Sequence, residues 1–177
     1  MLYLHDEVIW DKVYPKPFGG KRRLSEVHEY IFIFVKDPKN YTFNKDAVRT
    51  PYKESTLERL KYPTYKGWFK EDGSRTTNQY VILSPNKNGA SPKTILHIPK
   101  VNRKFPHPAP FPLRLAEWVV LLGSNPDDIV FDPMCGIGTL GKAALMYGRN
   151  FLCCDISPEY IKMANENICG TQRSLNS

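Results

Sequence analysis

Nine residues near the C-terminal end, Phe131-Asp132-Pro133-Met134-Cys135-Gly136-Ile137-Gly138-Thr139, set a carboxylate, two glycines and a hydroxyl at a spacing suited to binding a polar cofactor. Glycine admits turns closed to other residues and lets a ligand approach the main chain. A helix that opens just after such a turn offers backbone N–H donors with no partner inside the helix. A second acid, Asp155, follows Gly136 by 19 residues, where the end of the next parallel strand can present a carboxylate to ribose hydroxyls. Each feature has a plainer reading: an ordinary strand-to-helix turn for the loop, a helix-capping or exposed loop residue for Asp155. Their coincidence favours the cofactor. Gly136, Gly138 and Gly141 also satisfy G-x-G-x-x-G, so a nicotinamide or flavin enzyme must be weighed. Against it, only one β-α-β unit is present and Asp132-Pro133 is foreign to that fingerprint.

The elements that must position these residues follow from periodicity. Residues 129–131 read as a buried strand, 140–147 as a helix stopping at Gly148, and 151–154 as a second buried strand ending at Asp155. Ser157 N-caps a further helix with Pro158 at its first position and Tyr160, Ile161, Ala164 and Ile168 on one apolar face; residues 171–177 are expected to fray. The result is a β-α-β-α unit with parallel strands. Before it, His107-Pro108-Ala109-Pro110-Phe111-Pro112 is rigid, and 113–122 has a helical apolar face.

At the other end, residues 7–10 and 29–35 read as strands, the second continuously apolar after Glu29 and so expected to be buried. Residues 11–24 form a loop dense in proline and glycine, and 41–43 are a candidate hairpin return. From 44 to 104 the chain turns polar, basic and turn-rich, with a helical turn or two at 55–60 and short strands at 80–83 and 94–98.

Hydrophobic residues make up 41% and charged residues 24% of the 177, ordinary for a folded protein with one core and a smaller lobe. No apolar run approaches the roughly 20 residues of a membrane span, and the acidic N-terminus is unlike a signal peptide, so intracellular residence is expected. Cys135, Cys153, Cys154 and Cys169 form no Cys-x-x-Cys pair, which predicts reduced, mostly buried thiols and no metal site. The net charge of +7 is local: residues 36–106 hold fifteen Lys/Arg against six Asp/Glu. Interleaved with Tyr52, Tyr62, Tyr65, Trp68 and Tyr80, that excess suits a polyanion surface as well as it suits a solvated lysine-rich lobe. Lys21, Arg22 and Arg23 in the first loop, with Lys66, Lys70 and Arg75 in the lobe, are the candidate phosphate contacts.

Taken together, Asp132 to Thr139, the segment His107 to Pro112, and Asp155 followed by Ser157-Pro158-Glu159-Tyr160 resemble the S-adenosylmethionine-binding half of the amino-group DNA methyltransferases. Upstream, Trp10-Asp11-Lys12 and the stretch from Arg23 through His28-Glu29-Tyr30 resemble the strand and loop that precede this family's target recognition domain. The order is that of the permuted β group. The resemblance implies an α/β, Rossmann-like S-adenosylmethionine-dependent methyltransferase fold, permuted and with an incomplete sheet, carrying an inserted small, irregular, basic recognition lobe. Residues 1–43 would supply catalytic-side strands, 44–104 the recognition lobe and 105–177 the cofactor-binding unit. It further implies that Asp132, Pro133, Cys135, Gly136, Gly138 and Thr139 hold the methionine part, that Asp155 and Ile156 hold the nucleoside, and that His107, Pro108 and Phe111 border the same pocket. Met134 stands where the family usually has Phe. The implied substrate is double-stranded DNA, modified at adenine N(6) ahead of cytosine N(4), in the cytoplasm of a bacterial or phage type of host.

The family's Asp/Asn/Ser-Pro-Pro-Tyr/Phe tetrapeptide, which presents the flipped base, is absent from these 177 residues. Ser157-Pro158-Glu159-Tyr160 starts a helix and Asp37-Pro38-Lys39-Asn40 lacks the second proline and the aromatic. No catalytic residue is therefore assigned. The expectation is the C-terminal part of a methyltransferase, with cofactor binding, a gap in the sheet that exposes strand edges, and a separate chain carrying the catalytic segment. A non-catalytic DNA-binding subunit of a split methyltransferase is the second reading, and a nicotinamide-dependent oxidoreductase a remote third.

Overall fold

The computed structural model describes residues 1–13, 22, 24–66, 74, 79–101 and 111–175. Lys21, Arg23, Lys70, Arg75, His107 and Pro108 lie outside them, as does the side chain of Lys66. The chain divides into two compact units, Met1–Val48 with Lys93–Ser177, and Arg49–Pro92.

In the first unit, strands β1 (Tyr3–Asp11) and β2 (His28–Val35) form an antiparallel hairpin running from Tyr3 opposite Val35 to Asp11 opposite His28, with a register shift between Leu4 and Asp6. A short strand, β5 (Ile95–His97), joins the other side of β1 in parallel, giving the order β2-β1-β5. Beyond it, helix α2 (Leu113–Gly123) starts after Pro112, whose φ of −69° already suits a helix. Strand β6 (Ile129–Asp132), helix α3 (Thr139–Met146), strand β7 (Asn150–Cys153) and helix α4 (Pro158–Leu175) follow. The last two strands pair in parallel as expected, from Ile129 opposite Asn150 to Asp132 opposite Cys153, but as a separate two-stranded sheet.

Helix α2 serves both sheets. Its Leu115 packs with Trp10 and Ile98, joined by Ile31 and Phe111. One residue further round, Ala116 and Val120 pack against Ala143 of α3, joined by Val130 and again Phe111. Burying an aliphatic side chain of this size is worth about 1.5–3 kcal/mol. Trp10 meets the polar demand of its ring by donating from Nε1 to the Ile98 carbonyl at 2.7 Å.

The second unit holds helix α1 (Glu54–Leu60) and the hairpin of β3 (Thr64–Lys66) and β4 (Gln79–Val81). An antiparallel bridge between Thr50 and Ala90 closes its base, where Arg49 Nη1 donates to the Gly89 carbonyl at 3.0 Å. This unit is narrower than the lobe expected at 44–104. Asn44 belongs to the first unit because its N–H donates to the Leu122 carbonyl at 2.7 Å and its Nδ2 to that of Ser124 at 2.8 Å, and 95–97 belong there through β1.

Several expectations need correction. Strand β2 is buried on one face only: Val35 is buried and Ile31 and Ile33 are half-buried, but Phe32 is 52% exposed, and Tyr30 and Phe34 about as much. Ile129, Phe131 and Leu152 are likewise exposed. Both follow from apolar runs whose second face no described element covers. Residues 41–43 form no strand; Tyr41 and Phe43 instead set their rings 4.8 and 5.0 Å from that of His5. Helix α4 continues to Leu175 rather than fraying at 171, with Thr171 Oγ1 donating back to the Asn167 carbonyl. All four cysteines are free, but Cys154 and Cys169 are exposed.

Candidate cofactor-binding site

The site is built where β6 and β7 end side by side. At the end of β6, Asp132 Oδ1 accepts the N–H of Met134 at 3.1 Å, bending the chain out of the strand. The Cys135 N–H donates to the Cys154 carbonyl at 2.8 Å, and the Gly138 N–H donates to the Cys135 carbonyl at 2.8 Å. Cys135 is therefore a fastener, its backbone spent within the fold and its side chain buried. Gly136 and Gly138 take left-handed φ values of 53° and 75°. Helix α3 begins at Thr139, so the N–H groups of its first turn lie at the loop, where an anionic group is favoured.

Close approach, rather than backbone freedom alone, accounts for Gly138. A Cβ there would sit 2.9 Å from Ala164 Cβ, against α4. One turn on, a Cβ on Gly141 would meet Cys153 Sγ at 2.8 Å and Ile168 Cδ1 at 2.9 Å. The dinucleotide-like glycine spacing is thus explained by helix and strand packing.

Asp155 ties the two halves together. Its Oδ2 accepts the Gly136 N–H at 2.8 Å and its Oδ1 accepts the Ser157 N–H at 3.0 Å. These bonds fix the carboxylate at the lip of the loop. Ser157 Oγ in turn accepts the Tyr160 N–H at 3.4 Å, the expected cap of α4. Beside Asp155, Ile156 is fully exposed, and Met134 is 83% exposed, so apolar surface flanks the carboxylates. Such a set of groups fits S-adenosylmethionine: carboxylates for a cation and a ribose diol, helical N–H groups for its carboxylate, bare apolar side chains for its adenine.

The thiols beside the loop are inert by position. Burial, followed by the neighbouring carboxylate of Asp132, pushes the Cys135 thiol up; burial also drives Cys153 up to about 12. Neither is a nucleophile near neutrality.

Of the predicted cofactor residues, the structure brings Asp132, Pro133, Cys135, Gly136, Gly138, Thr139, Asp155 and Ile156 into one loop region. Phe111 is half-buried and packs against the cluster of Trp10, Ile98 and Leu115 and against that of Ala116, Val120 and Ala143. Arg22 is exposed. Two positioning residues were not singled out from sequence. Asn167 on α4 donates from Nδ2 to the Ile137 carbonyl at 3.0 Å, tethering the loop. Buried Arg149 donates to Ser124 Oγ at 3.2 Å and to its carbonyl at 2.7 Å, clamping the turn after α2. Their signals are a polar residue one turn from Ala164 and a lone arginine before an apolar strand.

Comparison with known proteins agrees with this geometry. Residues 1–166 match the model of the N6/N4 DNA methylase family. The chain is 38% identical over 167 residues to the type II methyltransferase M1.MboII of Moraxella bovis, covering 89% of this chain and 60% of that protein. It is 32% identical to the DNA adenine methyltransferase YhdJ of Escherichia coli, covering 81% and 45%. Among solved structures, M1.HpyAVI in complex with SAM superposes with a TM-score of 0.60 at 25% identity, over 94% of this chain and 63% of that one. The cytosine-N4-specific PvuII DNA methyltransferase gives the same TM-score at 17% identity, a likeness of fold. The chain thus spans about half the length of the curated relatives it matches.

Proposed function

The chain belongs to the N6/N4 DNA methylase family, and from that premise we propose that it binds S-adenosylmethionine at the β6–α3 loop and serves site-specific methylation of an exocyclic amino group in DNA. The observation that carries the proposal is Asp155, held by the N–H groups of Gly136 and Ser157 and aimed across the glycine loop. S-adenosylmethionine supplies an electrophilic methyl: a carbon–nitrogen bond forms to the amino group as the carbon–sulfur bond breaks, releasing the thioether product and a proton. This chain's own part is positional. Asp132 would hold the methionine ammonium and Asp155 the ribose hydroxyls, and fixing the cofactor in one orientation is the kind of positioning that supplies much of the rate.

Adenine N(6) is the first acceptor to test, because the E. coli relative is named for adenine. The tetrapeptide that presents the base is not within these residues, so methyl transfer needs a polypeptide that carries it. The basic recognition lobe, with candidate contacts Lys21, Arg22, Arg23, Lys66, Lys70 and Arg75, would add salt-dependent affinity for double-stranded DNA. Work on DNA, bacterial relatives and the lack of any described helix long and apolar enough to cross a membrane support a cytoplasmic setting.

Isothermal titration of the chain with S-adenosylmethionine tests the cradle, and labelled-methyl transfer with and without a tetrapeptide-bearing segment tests the reaction. Saturable cofactor binding with transfer only when the segment is supplied is expected. No cofactor binding overturns the reading; robust transfer by the chain alone overturns its dependence on a second segment. Salt-dependent DNA binding without cofactor affinity would favour the non-catalytic DNA-binding subunit instead, a reading that the basic composition supports.

A further inference from the structure

Two residues past the end of β1, Val13 is held in a conformation that its side chain resists. Among the described residues only Val13 and Asp127 take a left-handed φ without being glycine, at 61° and 68°. Aspartate tolerates that region. A β-branched residue there is an outlier that only the surrounding bonds can hold, and such outliers gather at functional sites. The bond that holds Val13 comes from Asp11, whose Oδ1 accepts the Val13 N–H at 2.9 Å. The same carboxylate reaches across to β5: its Oδ2 accepts from His97 Nδ1 at 2.6 Å, and the Asp11 carbonyl accepts the Ile98 N–H at 3.1 Å. On the other side of β1, the Lys12 N–H donates to the Val27 carbonyl at 3.0 Å and Lys12 Nζ pairs with Glu29 Oε1 at 2.5 Å.

This braced corner lies at the same end of the first unit as the cofactor loop. Helix α2 runs antiparallel to β1. Its first turn packs Leu115 on Trp10, next to the end of β1. At its last turn the Leu122 carbonyl accepts from Asn44, adjacent to Phe43, whose ring meets His5 near the start of β1. Only residues 124–128 separate α2 from β6, so β6 runs back along the helix and ends, as β1 does, where the helix begins. In open α/β folds the carboxyl ends of the strands are where ligands are met. The segment that leaves the sheet at Val13 carries Lys21, Arg22 and Arg23, and the segment tied down at His97 has just returned from the second unit, Arg49–Pro92. One carboxylate thus fixes where the chain departs for the first basic loop and where it comes back from the second unit.

We infer that Asp11 is a positioning residue for DNA: by holding the left-handed turn at Val13 and the end of β5 at His97, it sets the direction in which the basic segment leaves the sheet, and so the phosphate contacts that the chain makes. The inference rests on the DNA half of the methyltransferase reading and not on its cofactor half. The sign of the effect separates positioning from simple charge. Asp11 is itself an anion, and if it merely faced the duplex its removal would relieve repulsion and tighten binding. A loss of affinity on removing a negative charge is what positioning requires.

The test is titration of a fluorescently labelled DNA duplex of arbitrary sequence with the full 177-residue chain, followed by anisotropy over a series of salt concentrations. Asp11→Ala should weaken binding about tenfold and make the salt dependence shallower by about one phosphate contact, while calorimetry with S-adenosylmethionine stays unchanged. Adding Val13→Gly to that variant should recover most of the loss, because glycine takes a φ of 61° without being held. Asp11→Asn keeps an acceptor for the Val13 N–H and should fall between the wild type and the alanine variant; it carries the test where the alanine variant does not fold. Unchanged or tighter binding by Asp11→Ala, or a loss that Val13→Gly does not repair, would overturn the inference and leave Asp11 a residue of the sheet alone. A wild-type chain without affinity for the duplex would overturn it as well. The expected DNA series in a chain that binds no S-adenosylmethionine leaves the inference standing and counts against the cofactor reading, so the two ideas fail separately.

Discussion

The cradle of β6, α3, β7 and α4 and the hairpin sheet of β1, β2 and β5 share helix α2, but they spend their polar groups differently. Around the loop, the carboxylate of Asp155 and the backbone of Cys135 hold main-chain groups at 2.8–3.0 Å, and α4 comes within a Cβ radius of Gly138. In the hairpin sheet side-chain bonds cluster at the Asp11 end, where Asp11 accepts from the Val13 N–H at 2.9 Å and pairs with His97 at 2.6 Å, with His5 and Tyr41 bonded at 3.3 Å toward the other end. The outer face of β2, Tyr30, Phe32 and Phe34, is bare and apolar. The cradle is built to hold a small polar molecule in register, whereas the hairpin sheet is built to be covered. Perturbing one should leave the other's property intact, and the contrast can be broken on that ground.

The largest effect should come from Gly138→Ala. The added Cβ falls 2.9 Å from Ala164 Cβ at a φ of 75°, combining a left-handed backbone penalty with overpacking, together about 2–5 kcal/mol. Denaturant unfolding should show that loss with cofactor affinity falling alongside it, while exchange protection in 28–35 changes little. Equal loss of protection in β2 would mean that the two sheets do not melt independently.

Asp155→Ala should act next and more selectively. Losing two charge-assisted acceptors for ribose hydroxyls corresponds to about 3 kcal/mol, or roughly 100-fold in S-adenosylmethionine affinity by calorimetry. The same change frees the Gly136 and Ser157 amides, so Asp155→Asn, which keeps one carboxyl-like oxygen, should recover part of the affinity. Unchanged affinity in the alanine variant would remove Asp155 from the site.

How far such a site can be read from sequence depends on which parts are local. The turn at Asp132, the glycine loop with its helix start and the strand end before Asp155 were legible because each is set by a few neighbouring residues. The parallel pairing of β6 with β7 followed from the single helix between them. The reason for Gly138 was not legible, since it lies in the approach of Ala164, 26 positions away. The packing of Phe111 against two clusters was not legible for the same reason: an aromatic ring suits a cofactor wall and a core equally, and its core contacts come from the meeting of β1 with α2. Burial of β2 and β6 was inferred from apolar runs, which report what a strand is suited to face and not whether that partner is present. Asn44 fell on the wrong side of a boundary because its bonds go to Leu122 and Ser124, some 80 residues on.

The smallest effect concerns the hairpin sheet and should leave the cradle untouched. The Val13 N–H, followed by the hydrogen bond to His97, holds the Asp11 carboxyl below its usual value of 3.8. A carboxylate whose pKa is depressed by folding contributes stability that is fully present above the unfolded value and is lost as pH falls through the folded one. The contribution should therefore persist from neutral pH down past 4 and disappear only in more acidic solution. Trp10 is a local reporter, because its indole N–H is bonded to the Ile98 carbonyl immediately after β5. Its NMR resonance should stay fixed between pH 7 and about 5 and move below the ordinary carboxylate range, and Asp11→Asn should abolish that acid step. A midpoint at or above 3.8 would mean that Asp11 is not bonded in the folded state. The contrast between the two sheets would then become sharper still, with the Trp10 bond and the backbone ladder left to hold β5 against β1.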